Sequence, residues 1–349
     1  MKLQRGLADL LVRRRAWWYN KVPLSVTFGL LLVDGHALTW SALAALLLLV
    51  LAVCAAANYG YAVNELFDIG EDARAGRVNA ASSLGTLRVQ TIAFASASVA
   101  LLVATAAGGV IALVVTLLEV AQPLAYSVPP LRIKERGWLA VGSDALAAHV
   151  YPAVLALLAV THWHARSVPV TLAVAAVVWS ATAGTRGILG HLLSTAERDR
   201  GAGLRTVAHV HGHFVLERAV RIVLVPLELI AFVGILLTCS GGAVLWAAFA
   251  LYAGSEAGRA LLGMRSTALR AEGHRAVAFA EERFYKAWGP IVVALDAARA
   301  DLRYLLVVVI ALLLFRPLVV EEVQRARALI AALSRSRATA RDARSSGGV

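Results

Sequence analysis

Asparagine and aspartate recur at every fourth position in Asn64-Glu65-Leu66-Phe67-Asp68-Ile69-Gly70-Glu71-Asp72, as Asn64, Asp68 and Asp72. On a helix, residues four apart share one face and drift by about 40° per step, so an amide and two carboxylates face one point. Hard oxygen donors of this kind suit Mg²⁺, which commonly bridges a carboxylate and phosphate oxygens while keeping some of its waters. The stretch follows directly on a membrane-length apolar run, and carboxylates beside hydrocarbon are expensive and usually functional. The same residues also read as a helix end with its charges solvated. The rest of the chain decides between the two.

A second acidic stretch, Gly190 to Thr206, also closes a long apolar run. Asp72 and Asp199 are each followed four residues later by glycine (Gly76, Gly203) and soon after by arginine (Arg77, Arg205). Aligned on those aspartates, Thr195 falls opposite Asp68 and His191 opposite Asn64. Between the two stretches lies Tyr126-Ser127-Val128-Pro129-Pro130-Leu131-Arg132-Ile133-Lys134-Glu135-Arg136. The two prolines must break a helix there, leaving Arg132, Lys134 and Arg136 at alternate positions of a short loop. Arg136 reads as a membrane anchor, whereas Arg132 and Lys134 are suited to holding phosphate oxygens.

The elements that must position these residues are membrane helices. The chain has 349 residues, is 59% hydrophobic and 16% charged, and its mean hydropathy is +0.71. Long apolar runs, not short alternating ones, mark an all-α polytopic protein instead of a transmembrane barrel. Candidate spans are 20–34, 38–63, 89–107, 109–126, 138–160, 168–194, 219–238, 242–263 and 304–320. The shorter stretch 285–298, which contains Asp296, would make a tenth. The expectation is thus a bundle of about nine or ten helices around a central cavity. Short connections nearly free of Lys and Arg alternate with longer basic ones, such as 74–88, 132–136, 198–218 and 265–286. That pattern puts the basic loops, and with them both acidic stretches, on the cytoplasmic side.

Residues 1–19, with Arg13-Arg14-Arg15 before Trp17-Trp18-Tyr19, read as a basic cytoplasmic anchor. Residues 264–284 are expected as an amphipathic surface helix, and 322–349 as a basic, disordered tail. The net charge of +12 follows from the loops, which removes the argument for nucleic acid. Cys54 and Cys239 lie far apart in apolar runs and make neither a metal site nor an evident disulfide.

Two acidic clusters and basic residues on one membrane face suit a lipid diphosphate held through a divalent metal. Here the chain resembles the UbiA superfamily of intramembrane prenyltransferases. The family's Asn-Asp-x-x-Asp-x-x-x-Asp motif is matched by Asn64, Asp68 and Asp72, with Glu65 in place of an aspartate. Its Tyr-Ser-x-Pro-Pro-Leu-Arg-x-Lys segment is matched from Tyr126 through Lys134. Its second motif is matched by Asp199, Arg200, Gly203, Thr206, Ala208 and Gly212, but Thr195 replaces the first aspartate. The resemblance covers residues about 20 to 240 by motif and the remainder by hydropathy, and it implies a transmembrane prenyltransferase domain over 20–321.

The resemblance implies Mg²⁺ held by Asn64, Asp68, Asp72 and Asp199, with Asp68, Asp72 and Asp199 serving catalysis. Prenyl diphosphate would then meet Asn64, Tyr126, Arg132, Lys134, Arg205 and His191. Arg205 also reads as a snorkelling side chain and His191 as a packing histidine. Glu119 and Asp144 are acids inside apolar runs, suited to stabilising a carbocation, accepting a proton, or pairing with Arg186. His209, His211 and His213 alternate in a loop and read as solvated. The expected reaction is transfer of a prenyl group to an aromatic or other electron-rich, lipophilic acceptor, in a multi-pass protein of the bacterial plasma membrane. The alternatives are an intramembrane terpene cyclase and, because of Thr195, a catalytically impaired lipid-binding or transport relative.

Overall fold

The computed structural model describes residues 39–74, 76–164, 167–201, 203, 206–238, 242–262, 270–271, 274–275, 284–314 and 316–346. The basic N-terminal segment, the expected span 20–34 and Cys239 lie outside the described residues. The chain's apolar runs form α1 (Trp40–Phe67), the short α2 (Ile69–Arg74) and α3 (Ala80–Leu84), then α4 (Thr86–Ser127). Next come α5 (Trp138–Ala145), α6 (Tyr151–His164) and α7 (Val170–Gly201). They are followed by α8 (Val207–Ala219), α9 (Val225–Thr238), α10 (Gly242–Leu261), α11 (Gly289–Ala297), α12 (Tyr304–Leu314) and α13 (Arg316–Ser346). Single π turns, Leu146–Val150 and Val220–Leu224, join α5 to α6 and α8 to α9.

Helix α4 is a hairpin. Gly109 has φ +71 and ψ −161 inside it, a conformation that L side chains avoid, and a Cβ there would lie 3.2 Å from His162 Nδ1. Both arms return to the same level of α1. Asn58 Nδ2 donates to Ser96 Oγ at 2.7 Å, and a Cβ on Gly60 would touch Pro123 at 3.4 Å. The expected spans 89–107 and 109–126 are these two arms. The contact faces are largely alanine, with Ala52, Ala55, Ala56 and Ala62 on α1 and Ala100, Ala104 and Ala112 on α4 buried. Leu102, Val110, Ile111 and Leu118 point outward. Small residues let membrane helices approach closely, where dispersion and not the hydrophobic effect holds them together.

Among the described residues, five helices are long and apolar enough to cross a membrane, or six if the bent pair Tyr304–Leu313 and Arg316–Arg335 is one span. The expected spans 89–107 and 109–126 are present as the two arms of α4, the span 20–34 lies outside the described residues, and the run 304–320 bends by 84°. The stretch 285–298 forms a π turn, Phe284–Trp288, and the nine-residue α11. Most of 264–284 lies outside the described residues. Its described part pairs Arg270–Ala271 with His274–Arg275 as a two-residue antiparallel ladder instead of a helix.

The arginine-rich tail, expected to be disordered, is helical through Ser346. Its first turns are tied down by ion pairs, which composition alone could not show. Arg325 pairs with Glu256 and, at 3.3 Å, with Glu322, while Arg259 Nη1 donates to the Arg325 carbonyl at 2.8 Å. The largest core joins α1, α6, α7 and α9 to the C-terminal helices through stacked aromatics, among them Trp179 and Tyr285 at 4.7 Å. The buried Arg186 of α7 finds its acid on α9, where Glu228 accepts from Nε at 2.7 Å and from Nη2 at 3.0 Å.

Candidate active site

Helix α1 ends at Asp68, whose backbone (φ −100, ψ 4) leaves the helical region before α2 restarts at Ile69. The helical register survives the bend, since the Asp72 amide still donates to the Asp68 carbonyl at 2.8 Å. Asn64, Asp68 and Asp72 therefore stay on one side of the junction. Gly76 (φ +62) then turns the chain back. Asn79 anchors the return by donating to Asp72 Oδ2 and to the Glu65 carbonyl, both at 2.9 Å. Glu65 faces the other way. It is buried at 4% exposure and accepts from the Ala80 amide at the start of α3, so it braces the loop from beneath.

The Pro129-Pro130 break after α4 delivers the basic loop to the same place. Lys134 Nζ pairs with Asp68 and, at 2.6 Å, with Glu71 Oε2. Arg132 pairs with Glu71 and Glu135. Arg132 adopts a left-handed conformation (φ 38, ψ 54), which costs a side-chain-bearing residue about 1–2 kcal/mol and tends to mark functional sites. Ser127 Oγ donates to the Asn64 amide oxygen at 2.6 Å, tying the end of α4 to the face of α1.

The second acidic stretch meets the first through one guanidinium. Arg77 Nη2 lies 2.6 Å from Asp199 Oδ1, and Thr195 Oγ1 lies 2.6 Å from Asp199 Oδ2. Asp199 is buried at 5% exposure. Below the ion pairs is a cavity of ≈ 90 Å³ lined by Asn64, Tyr126, Glu119 and Asp144, among others. A smaller one of ≈ 30 Å³ runs between Tyr126, Lys134 and Thr206.

Neither a family sequence model nor a curated protein sequence matches the chain. Solved structures do. A UbiA homologue from Archaeoglobus fulgidus bound to GPP and Mg²⁺ aligns with TM-score 0.57 at 21% identity, over 87% of this chain and 99% of that one. A UbiA homologue from the same organism bound to DMAPP and Mg²⁺ gives 0.56 at 20% identity, over 83% and 98%. A third UbiA homologue structure from that organism gives 0.57 at 19% identity, over 87% and 99%. The chain has the fold of the UbiA superfamily.

On this UbiA fold the residues singled out from sequence divide three ways. Asn64, Asp68, Asp72, Tyr126, Arg132, Lys134 and Asp199 gather around the junction and its cavity. His191 is exposed, and its carbonyl accepts from Ser194 Oγ at 2.7 Å. Arg205 lies outside the described residues. Three residues of the candidate site escaped sequence reasoning. Glu71 shares both Arg132 and Lys134, and its signal was the three-residue spacing from Asp68. Arg77 was noted as a pattern match without its bond to Asp199. Asn79 had no signal beyond its place after a turn. Among the described residues, no three His, Cys, Asp or Glu side chains converge as a ready-made metal site. The donor set still suits Mg²⁺, because that ion commonly takes one or two carboxylates and leaves its other positions to water and phosphate oxygens.

Proposed function

We propose that the chain transfers a prenyl group from a prenyl diphosphate to an aromatic or other electron-rich acceptor inside the membrane. The observation that carries this is Lys134, bound at once to Asp68 and Glu71 above a cavity floored by acids. A cation shared by two carboxylates is placed to move onto an incoming phosphate. The fold supports the same reading, since UbiA homologues that share it were solved with GPP or DMAPP and Mg²⁺.

In this reading Asp68, Asp72, Asn64 and Asp199 hold Mg²⁺, whose positive charge would neutralise the diphosphate as it leaves. Lys134 and Arg132 bind the remaining phosphate oxygens, acting on charge that grows in the transition state, where fixed cations are most effective. Arg205 and His191 are assigned to the same diphosphate. Tyr126, lining both cavities, flanks the reacting end of the chain. The catalytic unit is proposed to span 20–321, with its mouth toward the cytoplasm of a bacterial plasma membrane.

The test is purified protein in lipid vesicles with radiolabelled GPP, with and without Mg²⁺ and acceptor. Release of diphosphate that requires Mg²⁺ and an acceptor supports the proposal. Product formed from GPP alone replaces transfer with cyclisation. If no prenyl chain length is turned over and Asp68→Ala leaves the cellular role intact, the chain is a lipid-binding or transport relative, a role consistent with Thr195.

A further inference from the structure

The C-terminal helix α13 is fastened to the same face of the protein as the candidate site. Helix α7 ends at that face with Asp199, and α9 runs antiparallel to it, since their contacts pass from Arg186–Glu228 to Trp179–Phe232. Phe232, toward the far end of α9, meets Phe249, toward the start of α10, with ring centroids 5.3 Å apart. Helix α10 therefore runs back toward the site's face. Glu256 and Arg259 lie seven and ten residues beyond Phe249, about 10 and 15 Å nearer that face. There Arg325 of α13 pairs with Glu256, the two side chains 8% and 11% exposed. Trp288 Nε1 donates to Glu322 Oε2 at 3.2 Å beside them.

This latch fixes which side of α13 is left outward. Leu318, Glu322, Arg325 and Leu329, spaced four, three and four, form one stripe of the helix and are buried or half-buried. Val323, Arg327 and Ile330, spaced four and three, form another stripe and are exposed, Ile330 at 63%. An apolar stripe interrupted by arginine suits neither bulk water nor hydrocarbon alone. The headgroup layer of a bilayer offers both acyl chains and anions within reach of one helix. The orientation agrees, because α13 is bent by 84° from the apolar α12 and so runs across the direction of a spanning helix. Apart from the latched Arg325 and Glu322, six arginines of α13 outnumber two acids, Glu321 and Asp342. That excess charge matches a layer of anionic headgroups.

We propose that α13 lies along the membrane on the face where the candidate site opens and binds anionic phospholipid headgroups there. Val323 and Ile330 settle among the upper acyl chains, while Arg327 reaches phosphate oxygens at the same depth, its stem lying along the apolar surface. The latch at Arg325 holds the first half of the helix on the protein, and headgroup contacts seat the second half. Anionic lipid is thereby gathered on the face that carries the site. The helix does this whether or not the chain transfers a prenyl group, because none of the residues involved belongs to the site.

The test places an environment-sensitive fluorophore on Ile330→Cys in the full chain carrying Cys54→Ala and Cys239→Ala. One copy is set in each lipid nanodisc, made either of phosphatidylcholine alone or of a mixture rich in phosphatidylglycerol. Emission should rise roughly threefold or more with the anionic lipid, and nitroxides on the upper acyl chains should quench it. The same label on Ala328→Cys, almost opposite Ile330 on the helix, should respond less than half as strongly. Arg327→Glu with Arg337→Glu and Arg341→Glu should remove the rise, and lysine at the three positions should keep it. The comparison of the two lipids decides even where the reversed variant does not fold. Equal emission in the two discs, an equal response at 328 and 330, or a rise that survives charge reversal overturns the proposal. So does water-like emission in both discs, which leaves the stripe in solvent. Emission that rises only when two copies share a disc overturns it in favour of a second copy of the chain.

Discussion

At the α1–α2 junction three carboxylates, Asp68, Glu71 and Asp72, face Lys134, Arg132 and the Asn79 amide, whereas the end of α7 offers Asp199 between Arg77 and the Thr195 hydroxyl. The local patterns are alike, with aspartate, glycine four residues on and arginine soon after. Each end also rests on its own apolar cluster, one built on Tyr59, Ala62 and Val89 and the other on Leu189, Leu193 and Val207. The electrostatics differ. The first end holds more acid than its cations neutralise and so retains an appetite for positive charge. At the second, the buried carboxylate of Asp199 is matched by one guanidinium and one hydroxyl. The lesson concerns Thr195, where a hydroxyl stands opposite Asp68. With a hydroxyl at 195, Asp199 rests on Arg77, and in the proposed reading the first end does most of the cation binding.

If the first end dominates, Asp68→Asn should cause the largest loss. Mg²⁺-dependent release of diphosphate from GPP is expected to fall by ~100-fold or more, on the scale of losing a principal electrostatic group. Lys134→Gln should lower kcat/KM by roughly 30-fold through loss of a phosphate-binding cation, with Lys134→Arg recovering part of it. Asp199→Asn should cost only about tenfold, because the carboxylate removed is already neutralised by Arg77. Steady-state kinetics on the three variants ranks them. An Asp199 variant as damaged as the Asp68 variant would put the two ends on an equal footing and break the comparison.

How much of this was legible beforehand depended on sequence distance. The Asn64, Asp68 and Asp72 face could be read directly, because a helix fixes what lies four residues apart. Glu71 lay in plain view but off that face, and the bend at Asp68 is what brings it under Lys134. Glu65 was read as standing in place of a motif aspartate, yet the same helical geometry turns it inward to the start of α3. Arg77 and Asp199 are 122 residues apart, and nothing local pairs them. Arg186 plainly needed an acid, and the sequence offered Glu119 or Asp144, whereas the structure pairs it with Glu228 on α9. The membrane fold class was clear from the apolar runs. The number of spans was not, since the span 20–34 lies outside the described residues and hydropathy does not register the 84° bend after Leu313. The tail misled for a related reason, because Arg325 owes its order to Glu256 and Glu322, which lie in a different helix and a preceding turn.

The smallest expected effect is also the most discriminating. Thr195→Asp would place a second carboxylate beside Asp199, whose Oδ2 now lies 2.6 Å from the threonine hydroxyl. Without divalent metal the two acids repel, and Arg77 can neutralise only one of them. The melting temperature should then drop by about 2–4 °C, as a loss near 1 kcal/mol produces in a domain of moderate size. With millimolar Mg²⁺ the same variant gains a ligand pair that the wild type lacks, so its melting temperature should recover to or above the wild-type value. Turnover should change only a few-fold, because in the proposed reading the first end carries most of the cation binding. The sign of the Mg²⁺ response therefore separates two accounts of the second end. A variant stabilised by Mg²⁺ more strongly than the wild type shows that Thr195 silences a cation site. A variant destabilised equally with and without Mg²⁺ would mean that the α7 end lacks the geometry to hold the ion, whatever residue stands at 195.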